Sequence, residues 1–197
     1  MIQTSKNSDS VVIIVHEIYG INQHIKNFCK TLSDQNFDVI CPNLLDKIIP
    51  YDYSQEETAY RHFIENVGFM NAAKSIKELV EDLNDDYKKI FIVGFSVGAT
   101  VAWLCSELKF INGIVGYYGS RIRNFVDIRP KCSTILFFPE FEPSFNVNEL
   151  IEFLKIKNIE VHKCKGKHGF NDPFSKKYHA KSSQKAFKRT VNFLKQN

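Results

Sequence analysis

The chain has 197 residues and is 44% hydrophobic, which predicts one globular domain, residues 1–197, large enough to bury a single core. No run approaches the roughly 18 apolar residues that a membrane span needs, and the polar residues 1–10 lack the apolar centre of a signal peptide. The net charge is +4, and lysines near the C-terminus alternate with apolar residues, which favours a solvated helix face over nucleic-acid binding.

Apolar segments alternate with amphipathic segments along the whole chain. The predicted strands are residues 11–15, 37–41, 89–93, 111–117, 134–138 and 159–165. The predicted helices are residues 22–35, 69–83, 147–157 and 175–195, a helix that begins near residue 97 and ends at 108, and a short helix at 54–64 inside a connecting segment, 43–68. Six strands separated by helices indicate an α/β fold with a doubly wound, mostly parallel sheet.

The most informative motif is Gly94-Phe95-Ser96-Val97-Gly98, which matches the G-x-S-x-G nucleophile elbow. It follows an apolar strand and opens a helix, which is the context that gives the motif meaning. In such a turn the serine hydroxyl is exposed above the sheet, and the N–H of Val97 is aimed at a developing oxyanion. The structural alternative is a simple Gly/Ser turn between a strand and a helix.

A histidine and an acid follow Ser96 in the order that such a triad requires. His168 comes just after the predicted strand 159–165, and Glu140 and Glu142 both come just after the predicted strand 134–138. Ser96 would be the nucleophile, His168 the general base and then acid, and one of the two glutamates the group that orients the imidazole. The alternative for His168 is an ordinary surface-loop histidine.

The loop after the first predicted strand, His16-Glu17-Ile18-Tyr19-Gly20, ends at the same sheet edge as the elbow. The N–H of Ile18 is therefore predicted to be the second oxyanion donor. His16 and Glu17 do not extend into H-E-x-x-H, because residue 20 is glycine, so a zinc site is not supported. The predicted chemistry needs no metal and no cofactor.

These motifs, in this order, resemble those of the dienelactone hydrolase family of the α/β-hydrolases. The resemblance is carried by residues 16–22, 94–99, 117–119, 138–143 and 168–170. It implies an α/β-hydrolase fold, trimmed here because ten residues leave no room for an N-terminal hairpin. It also favours Glu142 over Glu140 as the acid. Substrate-binding positions are expected at Glu17, Tyr60, Phe63 and Phe170.

Two departures from the family pattern bear on the substrate. The best-known family members have a cysteine nucleophile near the glutamate that matches Glu17, and here Ser96 replaces the cysteine. Glu17 would then order a water, pair with a base or bind substrate. The family's two substrate-binding arginines correspond to Glu56 and Asp172, so the anionic dienelactone is not the expected substrate. Cations nearby in sequence are Arg61, Lys165 and Lys167.

The five cysteines are an odd number without C-x-x-C spacing, which predicts reduced, mostly buried thiols and a cytoplasmic protein. The leading hypothesis is a serine hydrolase that cleaves a small ester, lactone or thioester, without nucleic-acid or membrane partners. The alternatives are a catalytically silent binding or regulatory protein on the same scaffold, and an acyltransferase or other acyl chemistry. The sequence does not indicate an oligomeric state.

Overall fold

The computed structural model describes residues 1–157 and 159–197. The strands are β1 Ile2–Thr4, β2 Ser10–Val15, β3 Asp38–Cys41, β4 Lys89–Phe95, β5 Gly113–Tyr117, β6 Ser133–Pro139 and β7 Glu160–Cys164. The helices are α1 Gln23–Ser33, α2 Glu56–His62, α3 Phe69–Leu83, α4 Val97–Cys105, α5 Val147–Lys155 and α6 Ala180–Gln196. The strands form one seven-stranded sheet in the order β1-β3-β2-β4-β5-β6-β7, and only the β1–β3 pair is antiparallel.

The sheet is covered by helices on both faces, which confirms the doubly wound α/β architecture. Successive residues of β2 point to opposite faces, so Ile13 packs in one apolar core and Ile14 in the other. Helices α3, α4 and α5 contribute to the first core, and α1 and α6 contribute to the second. Strands buried on both faces read as continuous apolar runs, as the β2 sequence does.

The sheet has one strand more than the six predicted, because the N-terminal residues add β1 at its edge. Residues Ile2–Thr4 form a single strand that pairs antiparallel with β3. The chain that follows β1 is held by Asp38, whose carboxylate accepts the N–H groups of Lys6 at 2.7 Å and Ser8 at 3.1 Å. Three residues with mixed polarity carry no periodic signal, which explains why the sequence pattern did not reveal this strand.

Some helix limits also differ from the prediction. Helix α6 begins at Ala180 rather than residue 175, because the Ser175 hydroxyl accepts the N–H of Lys177 in a turn and the ring of His179 caps the helix by accepting the N–H of Ser182 at 3.3 Å. The predicted short helix at 54–64 is divided into a 3-10 turn at Tyr53–Gln55, α2, and a π turn at Phe63–Val67. Helix α3 has the predicted limits.

Strand register brings the loops of interest to one edge of the sheet. Val15 is paired with Gly94, which aligns the end of β2 with the end of β4. Pro139 is paired with Cys164, which aligns the end of β6 with the end of β7. Since these strands are parallel, the loops that follow them emerge side by side, where α/β proteins bind ligands.

Two further expectations concern cysteines and membranes. Among the described residues, all five cysteines are free, and Cys29, Cys41 and Cys105 are buried. Within the same residues, none of the helices combines the length and apolar character that crossing a bilayer requires.

Candidate active site

Ser96 lies at the tip of a strained turn between β4 and α4. Its backbone has φ of +53° and ψ of −114°, a conformation that is unusual for a residue with a side chain. The flanking glycines are required sterically. A Cβ atom on Gly94 would lie 2.1 Å from the carbonyl oxygen of Gly98, and one on Gly98 would lie 2.2 Å from that of Val15. The two glycines of the motif therefore allow the chain to make this tight turn at Ser96.

Ser96, His168 and Glu142 form a continuous hydrogen-bonded chain. The hydroxyl oxygen of Ser96 lies 2.8 Å from Nε2 of His168, and Nδ1 of His168 lies 2.6 Å from Oε1 of Glu142. The Glu142 side chain is only 4% exposed, which leaves His168 as the partner that compensates its buried carboxylate. A neutral His168 donates from Nδ1 to this carboxylate, so Nε2 is free to accept the serine proton.

The structure distinguishes between the two candidate acids. Glu140 is exposed, and its backbone N–H donates to the carbonyl of Cys164 at 2.8 Å, which extends the pairing of β6 and β7. Glu142, two residues further on, turns back toward His168. The position next to the imidazole is therefore occupied by Glu142.

Val97 and Ile18, whose N–H groups are the predicted oxyanion donors, lie on two segments that pack against each other. Val97 is the first residue of α4, whose N-terminal N–H groups have no acceptor within the helix. Gly98 packs directly on the carbonyls of Val15 and His16, which brings the elbow against the loop containing Ile18. In residues 1–157 and 159–197, neither N–H donates to a protein acceptor. Both residues line the same cavity as Ser96.

Glu17 is buried beside the triad and bonds to a tyrosine rather than to the serine. The hydroxyl of Tyr118 donates to Oε1 of Glu17 at 2.7 Å. Burial is the main cause that raises the pKa of Glu17, which favours its neutral form. Tyr118 is held in a positive-φ conformation of 43°, and its ring centroid lies 5.0 Å from that of His168. Glu17 and Tyr118 thus form a hydrogen-bonded pair next to His168.

His16 has a structural role. Its Nδ1–H donates to the carbonyl of Glu17 at 2.7 Å, and Nε2 accepts the N–H of Leu44 at 3.0 Å. Burial lowers the pKa of His16 to about 4, so the ring is neutral with both nitrogens occupied. The described part of the chain contains no cluster of three or more His, Cys, Asp or Glu side chains suited to a metal ion.

Ser96 opens onto a cavity of about 440 Å³. Glu17 and Tyr60, two of the four residues predicted to bind substrate, line this cavity. The expectation for Phe63 and Phe170 is wrong, since neither lines it. Both rings are buried in the apolar cores, Phe63 against Phe69 and Phe170 against Tyr118, because a ring with no polar atom gains most from complete burial.

The charged lining of the cavity was only partly predicted. Glu56, Asp172 and Lys167 line it, whereas Arg61 and Lys165 do not. Arg121 and Arg123 also line it, and sequence reasoning missed them. Both arginines lie in the irregular segment after β5, where no periodic pattern indicates which side chains point inward.

The chain is similar to known proteins in sequence and in fold. The model for the dienelactone hydrolase family matches residues 1–197. The uncharacterized protein YczH of Bacillus subtilis is 39% identical over 168 residues, covering 84% of this chain and 82% of YczH. Carboxymethylenebutenolidase 1 of Cupriavidus pinatubonensis is 24% identical over 203 residues, covering 95% of this chain and 86% of that protein. The solved structure of the dienelactone hydrolase-like promiscuous phosphotriesterase P91, from metagenomic libraries, has a TM-score of 0.74 at 14% identity, covering 95% and 85% of the two chains.

The family and fold follow from these matches. The chain belongs to the dienelactone hydrolase family, and its architecture is the α/β-hydrolase fold. Its class is that of hydrolases acting on ester bonds.

Proposed function

We propose that this protein is a serine hydrolase that cleaves a small ester, lactone or thioester through an acyl-enzyme. One observation carries the proposal: the hydrogen-bonded chain from Ser96 through His168 to Glu142, built on a strained elbow. Serine is a weak nucleophile at neutral pH, and an adjacent oriented base is what activates it. The relative named as a carboxymethylenebutenolidase supports a substrate of the ester type.

The geometry supports a two-step mechanism. Ser96 attacks the carbonyl carbon while Nε2 of His168 takes the hydroxyl proton, and Glu142 stabilises the resulting imidazolium. The N–H groups of Val97 and Ile18 then donate to the oxyanion. His168 returns the proton to the leaving group as the tetrahedral intermediate collapses. Water, activated by the same histidine, releases the acid from Ser96 in the second step.

The cavity limits the size of the substrate. A volume of about 440 Å³ is at the lower end of the range for small-molecule pockets, so short acyl groups are favoured over long lipids. Glu17 and Tyr60 are the predicted binding residues that face this volume, and we assign them substrate contacts. The five free cysteines support action in the cytoplasm.

The experiment that tests the proposal is steady-state hydrolysis of short 4-nitrophenyl esters by the wild-type protein and by Ser96→Ala. We expect turnover by the wild type and a loss of roughly 10⁴-fold or more in kcat for Ser96→Ala. Ser144→Ala is the matched control, because Ser144 lines the same cavity away from the elbow. Equal turnover by Ser96→Ala and wild type would overturn the mechanism, and a folded wild type without esterase activity would favour the silent binding protein.

A further inference from the structure

One phenylalanine that lines the active-site cavity is largely exposed. Phe141 lies on the loop after β6, next to Glu142, and it is 63% exposed. Among the large apolar residues that are exposed in the described part of the chain, only Phe141 also lines the cavity of Ser96. Single exposed apolar side chains are common on protein surfaces. The position of Phe141, rather than its exposure alone, is therefore what points to a role.

The same loop contains a second phenylalanine with different contacts. Phe145 packs against the first apolar core, and the guanidinium of Arg123 lies 4.9 Å from the centroid of its ring. Between the two phenylalanines, Glu142 is buried and bonded to His168. In residues 1–157 and 159–197, Phe141 belongs to neither apolar core. Phe145 and Glu142 therefore anchor the loop, and the ring of Phe141 remains available to a ligand.

The order of the strands places Phe141 and Ile18 on opposite sides of Ser96 along the sheet. Ser96 follows β4, and on one side of β4 lies β2, whose following loop contains Ile18. On the other side lie β5 and then β6, whose following loop contains Phe141. His168 follows β7, the neighbour of β6. The loop of Phe141 therefore borders the histidine side of the nucleophile.

The histidine side is where the alcohol part of an ester has to lie in the proposed mechanism. His168 protonates the leaving oxygen, so this oxygen must come within hydrogen-bond reach of Nε2. The carbonyl oxygen is directed instead to the N–H groups of Val97 and Ile18. A group attached to the leaving oxygen is thus directed toward the part of the cavity that Phe141 and Pro143 line.

We propose that Phe141, with Pro143 beside it on the loop, forms an apolar subsite that selects esters of a small aromatic alcohol with a short acyl group. This inference rests on the proposed serine-hydrolase function, which it extends by naming the substrate class. An aromatic ring bound against Phe141 removes apolar surface of both rings from water. Phe141 then determines specificity by contact with the substrate and takes no part in proton transfer.

The test uses two isomeric esters that carry the same ring on different sides of the ester bond. Benzyl acetate has the ring on the alcohol, methyl phenylacetate has it on the acyl group, and methyl acetate has no ring. Benzyl acetate and methyl acetate form the same acetyl-enzyme, so a difference between them in kcat/KM arises before the alcohol leaves. Acid release is followed in a pH-stat. The readouts are the benzyl ratio and the phenylacetate ratio, which are the kcat/KM of each ring-bearing ester divided by that of methyl acetate.

We expect Phe141→Ala to lower the benzyl ratio by roughly 5- to 50-fold, because the ring loses an apolar contact. The phenylacetate ratio should stay within about two-fold of the wild type, and Phe141→Leu should retain part of the benzyl ratio. Any effect of the substitution on neighbouring Glu142 lowers kcat/KM for all three esters alike, so both ratios are insensitive to it. Phe110→Ala is the control, because Phe110 is exposed and does not line the cavity. Its ratios should equal those of the wild type.

A benzyl ratio that Phe141→Ala leaves unchanged would overturn the inference, and so would an equal or larger fall in the phenylacetate ratio. A wild type that reacts with a fluorophosphonate probe but does not hydrolyse benzyl acetate would also overturn it, while leaving the activated serine in place. A folded wild type that neither hydrolyses these esters nor reacts with the probe would overturn the proposed function together with this inference.

Discussion

The carboxylate of Glu142 lies 2.6 Å from Nδ1 of His168, and this contact is made by a buried acid on the loop after β6. Two residues earlier on the same loop, Glu140 is exposed. The two glutamates therefore form a matched pair for testing the role of the acid.

Glu142→Gln should lower kcat for a short ester by roughly 10³–10⁴-fold, because the amide no longer stabilises the imidazolium and does not fix its tautomer. Glu140→Gln should leave kcat within about two-fold of the wild type, since an exposed surface change has little effect. Steady-state kinetics with the three proteins checks this. A similar loss in both variants, or in Glu140→Gln alone, would contradict the assignment.

Gly98 should not tolerate a side chain, although it lies in a helix. Alanine is intrinsically better than glycine in a helix by about 1 kcal/mol, but here its Cβ would lie 2.2 Å from the carbonyl oxygen of Val15. We expect Gly98→Ala to destabilise the protein by about 3 kcal/mol or more, since a backbone carbonyl has little freedom to move. Urea unfolding measures the change.

Thr100→Ala provides the control in the same helix. The hydroxyl of Thr100 is buried and has no hydrogen-bond partner among the described residues, so its removal should change stability by less than about 1 kcal/mol. If Gly98→Ala lost as little free energy of unfolding as Thr100→Ala, the close contact between the elbow and β2 would be contradicted.

Tyr118→Phe should destabilise the fold by removing the hydroxyl that donates to buried Glu17. The expected cost is about 1–3 kcal/mol, because the carboxyl group is left without its hydrogen-bond partner. Tyr178→Phe is the control, since Tyr178 is partly exposed at 39%. Equal stability of Tyr118→Phe and Tyr178→Phe in urea unfolding would show that the Glu17 contact contributes nothing.

The lowered pKa of His16 predicts that the free energy of unfolding depends on pH. Burial lowers its pKa from 6.5 to about 4, so between these pH values the unfolded chain binds a proton there and the folded chain does not. The contribution of buried, neutral His16 to the free energy of unfolding is fully present above pH 6.5. It is lost as the pH falls toward about 4. The loss attributable to His16 is at most roughly 3 kcal/mol.

Glu17 has a raised pKa, which changes stability with pH in the direction opposite to His16. Because Glu17 is present in both wild type and His16→Gln, comparing the two proteins isolates the contribution of His16. The difference in free energy of unfolding between the two proteins should shrink when urea unfolding is measured at pH 4.5 instead of pH 7. A constant difference at both pH values would contradict a buried neutral His16.

The sequence predicts the parts of the site that local chain geometry determines. The elbow follows from the Gly94 and Gly98 pattern next to a buried strand, and Glu142 and His168 follow from their places after the ends of β6 and β7. Each of these features depends on nearby residues only. Since parallel strands end at the same edge of the sheet, the residues that follow them come together even when no long-range contact is known. The family resemblance added the preference for Glu142 over Glu140.

The features that the sequence did not predict depend on tertiary packing. Phe63 and Tyr60 are three residues apart, yet Phe63 is buried in the core and Tyr60 faces the cavity. Arg121 and Arg123 lie in an irregular segment, where no period indicates the direction of a side chain. Strand β1 has only three residues and depends on its pairing with β3, a contact distant in sequence.

The central claim is that Ser96 is an activated nucleophile. Its most direct test is the intact mass of wild type and Ser96→Ala after exposure to a fluorophosphonate probe, with both proteins shown to be folded. We expect a single adduct on the wild type and none on Ser96→Ala. An adduct on both proteins, or on neither, would contradict an activated Ser96, and the second result would favour a catalytically silent protein on the hydrolase fold.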